Sequence, residues 1–157
     1  MSKHGLLPEW KPTKDIVDWS SGWQFEESTL FQKYLDYVVT PGDIVSVAHL
    51  LFPSFCEYKG GVFLEMNFSE ESVDDFISGG YDLGAVEGVI NHVHVYDFFM
   101  NEELLCDDDC ETIAEILSTA WACCLKLQFP NRSFTVEWSH TDQDYGPTVY
   151  ITRNVDK

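Results

Sequence analysis

The sequence predicts an α+β fold, a mainly antiparallel sheet of about five strands packed against three to four helices, in a single globular domain over residues 1–157. Three observations carry this expectation. Residues 110–129 keep apolar side chains at helical spacing for about four turns. Residues 62–67, 89–99, 133–140 and 147–153 alternate, or are rich in β-branched and aromatic side chains. In order, the chain gives early helices, a hairpin, a helix, a strand, a long helix and a final hairpin, which suits antiparallel pairing.

Residues 1–25 contain Pro8 and Pro12 together with Trp10, Trp19 and Trp23. They are expected to be an irregular segment that wraps the core and packs its indoles there, with a partner-binding arm as the alternative. From Glu26 onward, Leu30 or Phe31, Tyr34, Leu35 and Val38 recur on one helical face, and Glu26 and Glu27 suit the positive end of the helix dipole. Thr40-Pro41-Gly42-Asp43 combines a capping residue, a proline at the first helical position and a carboxylate three residues after the cap. It should open a second helix that buries Ile44, Val47, Ala48 and Leu51 and ends at Pro53.

Residues 54–58 and 62–67 flank Lys59-Gly60-Gly61, the composition of a tight hairpin turn. Ser69 can cap a third helix that begins with Glu70 and Glu71, buries Val73, Phe76 and Ile77, and stops at Gly79-Gly80. Residues 81–88 read as a loop. Residues 89–99 read as a strand, with Ile90, His92, His94, Tyr96 and Phe98 on one face and Val89, Asn91, Val93, Val95 and Asp97 on the other. After a polar turn over 101–109 comes the long helix, in which Ile113, Ile116, Leu117, Ala120, Trp121, Cys124 and Leu127 form the apolar face and Pro130 is the stop. Residues 133–140 and 147–153 then form two strands joined by a polar loop.

Charge is distributed unevenly. Residues 60–125 hold fifteen Asp and Glu and no Lys or Arg, while the rest of the chain holds twelve acidic and nine basic residues, so this block supplies most of the net charge of -18. Such an excess opposes direct nucleic-acid binding, because phosphates attract Lys and Arg. No apolar run reaches the roughly 18 residues of a membrane helix, and MSKHGLLPEWKPTK lacks the apolar core of a signal peptide. A cytoplasmic protein with no membrane partner is expected. Five cysteines, two of them adjacent at Cys123 and Cys124, suit free thiols in a reducing compartment better than a disulfide framework.

Helix-dipole stabilisation, about 0.3 to 1 kcal/mol per contact, accounts for one or two of Asp107, Asp108 and Asp109 at the start of the long helix. It leaves Glu102, Glu103 and Glu111 without an explanation. Crowded like charges cost folding energy, so their accumulation implies either good solvation or a use. Display of negative charge to a basic protein is one such use, since it imitates the phosphate pattern and selects a cationic partner. The candidate partner-binding residues are Asp74, Asp75, Glu102, Glu103, Asp107, Asp108, Asp109 and Glu111.

Other constellations are weaker. Cys106 and Cys110 lack the second ligand pair of a zinc site, and Asp142-Gln143-Asp144 is too short for a calcium loop. His92 and His94, at alternate strand positions, could bind one metal ion if His140, Glu137 or Glu65 supplied a third ligand. The other reading packs them with Tyr96 and Phe98 in a partly buried aromatic layer. No phosphate loop, nucleophile elbow, HExxH pair or dinucleotide fingerprint occurs, and no cofactor is implied. The expected function is therefore non-enzymatic: an acidic protein that neutralises a basic partner, such as a toxin or a nucleic-acid-binding protein. A bacterial immunity protein, an antitoxin and a nucleic-acid-mimicking inhibitor all fit that description. The alternatives are a metal-dependent enzyme or small-ligand module built on His92 and His94, and an accessory domain whose charge serves solubility alone.

Overall fold

Two consecutive residues with positive φ, Lys59 at 48° and Gly60 at 85°, reverse the chain between β1 (Phe55–Tyr58) and β2 (Gly61–Leu64). Tyr58 then pairs directly with Gly61, as in a two-residue hairpin turn whose twist matches its strands. The computed structural model describes residues 5–100, 106–141 and 145–154. Among these residues it has six α-helices and two antiparallel sheets, an α+β architecture. The single sheet of about five strands expected from the sequence does not form: there are two small sheets, a hairpin β1-β2 and a three-stranded sheet in the order β3-β5-β4.

All four residues of β2 are buried, because the strand lies between two cores. Alternation sends Val62 and Leu64 into one core and Phe63 into the other. In the first core the long helix α6 (Asp107–Gln128) sets Cys110, Ala114, Leu117, Trp121 and Leu125 against Val93, Val95, Val149 and Ile151. Its buried stripe runs on to Cys124 and Leu125, so Leu127 falls outside it and is 81% exposed, contrary to its expected place on the apolar face. The sheet behind this helix pairs β4 (Phe134–Ser139) with β5 (Thr148–Arg153) in register from Phe134↔Arg153 to Ser139↔Thr148. The second core is Phe63, Val73, Val86 and Ile90. Val73 comes from α4 (Glu70–Ser78), whose cap Ser69 accepts the Ser72 N–H as expected.

Residues 81–99 depart most from expectation. Residues 83–90 are the helix α5 (Leu83–Ile90), where a loop to residue 88 and the start of a strand were expected; the Asp82 carboxylate caps it by accepting the Ala85 N–H at 3.0 Å. Of the strand expected over 89–99, only β3 (Val93–His94) remains, paired with Val149 and Thr148. A short 3-10 turn follows at Val95–Phe98. Helix α5 does what a neighbouring strand would otherwise do for β2. Glu87 Oε1 accepts the Val62 N–H at 2.8 Å; one turn on, Asn91 Oδ1 accepts the Leu64 N–H and Asn91 Nδ2 donates to the Val62 carbonyl, both at 2.8 Å. Arg153 of β5 donates to Glu87 Oε1 at 2.8 Å and to the Gly60 carbonyl, which links the two sheets.

Helices α1 (Lys14–Ser20) and α2 (Leu30–Tyr37) flank this body, α1 forming inside the segment expected to be irregular. Trp19, Trp23 and Phe25 stack on one another and on Tyr34 and Tyr37 of α2 instead of entering either core. Helix α3 (Pro41–Leu51) has the full capping box, with Thr40 Oγ1 accepting the Asp43 N–H and the Asp43 carboxylate accepting the Thr40 N–H. Its expected buried face is not buried: Ile44 is 59% exposed and Val47 51%. The helix is held instead by its C-terminal end. Trp121 Nε1 donates to the Leu50 carbonyl at 2.8 Å and Cys124 Sγ to that of Leu51, meeting carbonyls that a helix end leaves open, and Gln128 Nε2 donates to the Pro53 carbonyl just beyond at 3.5 Å. No helix among the described residues is long and apolar enough to cross a membrane.

Burial pushes the Glu87 carboxyl above its ordinary range, partly opposed by the Val62 N–H and by Arg153. A raised folded-state pKa means that the stabilising contribution is complete below the unfolded value near 4.5 and is lost as pH rises through the folded value. Wild-type protein should therefore lose stability relative to Glu87→Gln as pH rises from 4.5 toward neutrality, as read from urea midpoints of the two proteins. Asn91→Ala, which strips two bonds from the β2 edge, should cost about 1–3 kcal/mol at any pH.

Candidate partner-binding surfaces

The carboxylates singled out by sequence fall into two groups on separate elements. At the start of α6, Asp107, Asp108 and Asp109 form the first turn, after a Cys106 cap whose side chain makes no capping bond. Asp107 accepts the Tyr96 hydroxyl, and that hydrogen bond, helped by partial burial, holds the phenol protonated with its pKa pushed up to about 12. Asp109 accepts the Lys14 backbone N–H at 2.9 Å and so ties the start of α1 to the start of α6. Asp108 is exposed. Glu111 lies 2.9 Å from His140 Nδ1. The second group is on α4, beside the other core: Asp74 meets the Lys59 ammonium and accepts the Tyr58 hydroxyl at 3.3 Å, while Asp75 is exposed. Glu102 and Glu103 lie outside the described residues. Three of these aspartates thus also hold the fold together, and Asp75 and Asp108 face solvent.

His92 and His94 do come together, with ring centroids 5.2 Å apart, but not as alternate residues of one strand, since His92 precedes β3. His92 Nδ1 is bonded to the Val89 carbonyl. A carbonyl only accepts, so this nitrogen carries the proton. His94 Nδ1 lies 2.8 Å from Thr148 Oγ1, whose own proton goes to the Gly146 carbonyl, so His94 is also the donor there. The His94 ring then packs edge-on to Tyr145, which packs edge-on to Tyr96. The two histidines thus pack against aromatic rings and also line a cavity of about 460 Å³ with Asn67, Asp97 and Phe98. Of the three possible third ligands, His140 is on Glu111, Glu137 is exposed on β4, and Glu65 lines the groove that adjoins the histidines at Met66 and Phe98. Among the described residues, no group of three or more His, Cys, Asp or Glu is placed to hold a metal ion. Cys106 and Cys110 are free thiols, and burial pushes the Cys110 thiol up.

A second concave feature was not foreseen. A groove of about 960 Å³ is lined by Val47 and Leu50 of α3, Ile113 and Ile116 of α6, and Met66 and Phe99. One signal in the sequence could have found it. Residues 44–52 include Ile44, Val45, Val47, Leu50, Leu51 and Phe52 and no Asp, Glu, Lys or Arg, which is too apolar around the helix for a single buried stripe.

The turn before β5 positions Tyr96, and through it Asp107. Gly146 has φ 72°, and a Cβ there would stand 2.6 Å from the Tyr96 ring. Gly146→Ala should therefore cost at least about 1–2 kcal/mol in urea unfolding, combining left-handed strain with displacement of the ring. Tyr96→Phe should leave that turn intact and remove the phenol that resists ionisation below about pH 12 in an absorbance titration. No protein-family model, characterised protein or solved structure gives a match to this chain.

Proposed function

We propose that the protein is a non-enzymatic acidic binding protein that neutralises a basic protein partner, as an immunity protein, an antitoxin or an inhibitor imitating nucleic acid would. The observation that carries this reading is the concentration of charge: residues 60–125 contain fifteen carboxylates and no Lys or Arg. The exposed first turn of α6 presents part of that charge on a rigid helix end. Fixed negative charge of this kind speeds encounter with a cationic surface and repels anionic competitors.

The test is capture of a partner from the native host on immobilised protein at low ionic strength. A basic protein should be retained, and Asp107→Asn/Asp108→Asn/Asp109→Asn should weaken its binding by roughly ten-fold or more and flatten the dependence on salt. Asp107 also accepts the Tyr96 hydroxyl, so Asp108→Asn alone, at the residue that faces solvent, separates charge from folding. Retention that is insensitive to both variants and to salt would sink the proposal.

A further inference from the structure

We propose that the groove between α3 and α6 receives a cationic amphipathic helix of the partner, with apolar side chains seated in the groove and Lys or Arg along its edges. This rests on the basic-partner reading above and adds where, and by what chemistry, that partner is gripped. Val47 and Leu50 of α3 line the groove together with Ile113 and Ile116 of α6. The apolar surface then continues along α3 through Ile44 and Val45, which are 59% and 57% exposed. A volume of about 960 Å³ is at the upper limit for pockets that enclose a small molecule, and here the apolar wall runs on along an open helix face. An elongated occupant with anchors at helical spacing matches that shape.

The charge around the groove selects among such occupants. Among the described residues no Lys or Arg side chain lines it, and its ionisable side chains are Glu65 and His49. Asp43 stands one turn before Val47 on α3, and the exposed Asp97 adjoins Phe98 of the groove wall. Neither residues 34–58 nor residues 60–125 contain a Lys or Arg. A second copy of the chain would bring a net charge of -18 against another of -18, and an anionic bilayer would be repelled in the same way. A helix that is apolar on one face and cationic on its flanks satisfies both the groove and its surroundings.

The probe is a labelled Leu/Lys peptide of about 18 residues with Leu at i, i+3, i+4 and i+7, compared with an oligolysine of equal charge and a Leu/Glu peptide of the same pattern. Titration by fluorescence anisotropy should show the Leu/Lys peptide binding at least about ten-fold more tightly than oligolysine. Ile44→Ser/Val47→Ser, two exposed sites away from the Trp121 contact, should erase that margin and leave oligolysine binding unchanged. Equal affinity for the two cationic peptides, or indifference to the double substitution, overturns the groove proposal alone and leaves the basic-partner reading standing. Leu/Glu binding as strong as Leu/Lys, or no binding of either cationic peptide, overturns both. A dimer in sedimentation that the double substitution abolishes would give the groove to a second copy and overturn the proposal.

Discussion

The fold depends on the sealing of one strand edge by helix side chains. Strand β2 is buried on both faces and paired with β1 on one edge, so the N–H and C=O groups of its other edge need partners inside the protein. Glu87 and Asn91, one turn apart on α5, supply them. A helix can do this with two side chains because residues four apart point the same way, at a spacing close to that of alternate residues along a strand. The consequence is a division of the β structure: with its edge occupied, β2 cannot continue into the β3-β5-β4 sheet. Arg153 then bridges what pairing does not, reaching from β5 to Glu87 and to the Gly60 carbonyl.

That arrangement places charge where it is costly. Glu87 is 1% exposed, and its Oε2 is buried without a hydrogen-bond partner among the described residues. Breaking such a pair from one side is worse than never having built it, since the remaining Arg153 would keep its burial and lose its anion. Elsewhere the carboxylates lie nearer to water and do lighter work. Asp107 and Asp109 each gather a separate part of the chain to the start of α6, the first through Tyr96 and the second through the backbone of Lys14.

What the sequence made legible was local chemistry. The Lys59-Gly60 turn, the Thr40–Asp43 box, the Ser69 cap and most of the long helix follow from side chains interacting within a few residues. In the stretch 81–99 the Asp82 cap was a local signal, but the interactions that turn the helix toward β2 are distant. Val86 and Ile90 are apolar at helical spacing, but the same face carries Glu87 and Asn91, which look like solvent-facing residues until β2 is seen beside them. A helix end, a two-residue strand and a 3-10 turn in succession also imitate one alternating strand. The acidic block was visible as composition, whereas its division between α4 and α6, and the tyrosine, lysine backbone and histidine that meet it, depend on tertiary structure. Helix α3 misled in the opposite sense: its apolar residues suggested burial, and the chain leaves Ile44, Val45 and Val47 in the open.

The way α3 is attached makes it a lever. Its fulcrum is the C-terminal end, where Trp121 and Cys124 grip the carbonyls of Leu50 and Leu51 and Gln128 grips that of Pro53 just beyond, and its other arm carries the exposed Ile44 and Val45. The tip of that arm is wound by the Thr40–Asp43 box, and the Thr40 backbone N–H, with the Thr40 hydroxyl, holds the Asp43 carboxyl below its ordinary range. The stiffness of the tip is then present at neutral pH and lost on acidification, as Asp43 takes up a proton at its lowered pKa. Acid would fray the outer turn first while the fulcrum, built from an indole, a thiol and an amide, stays closed.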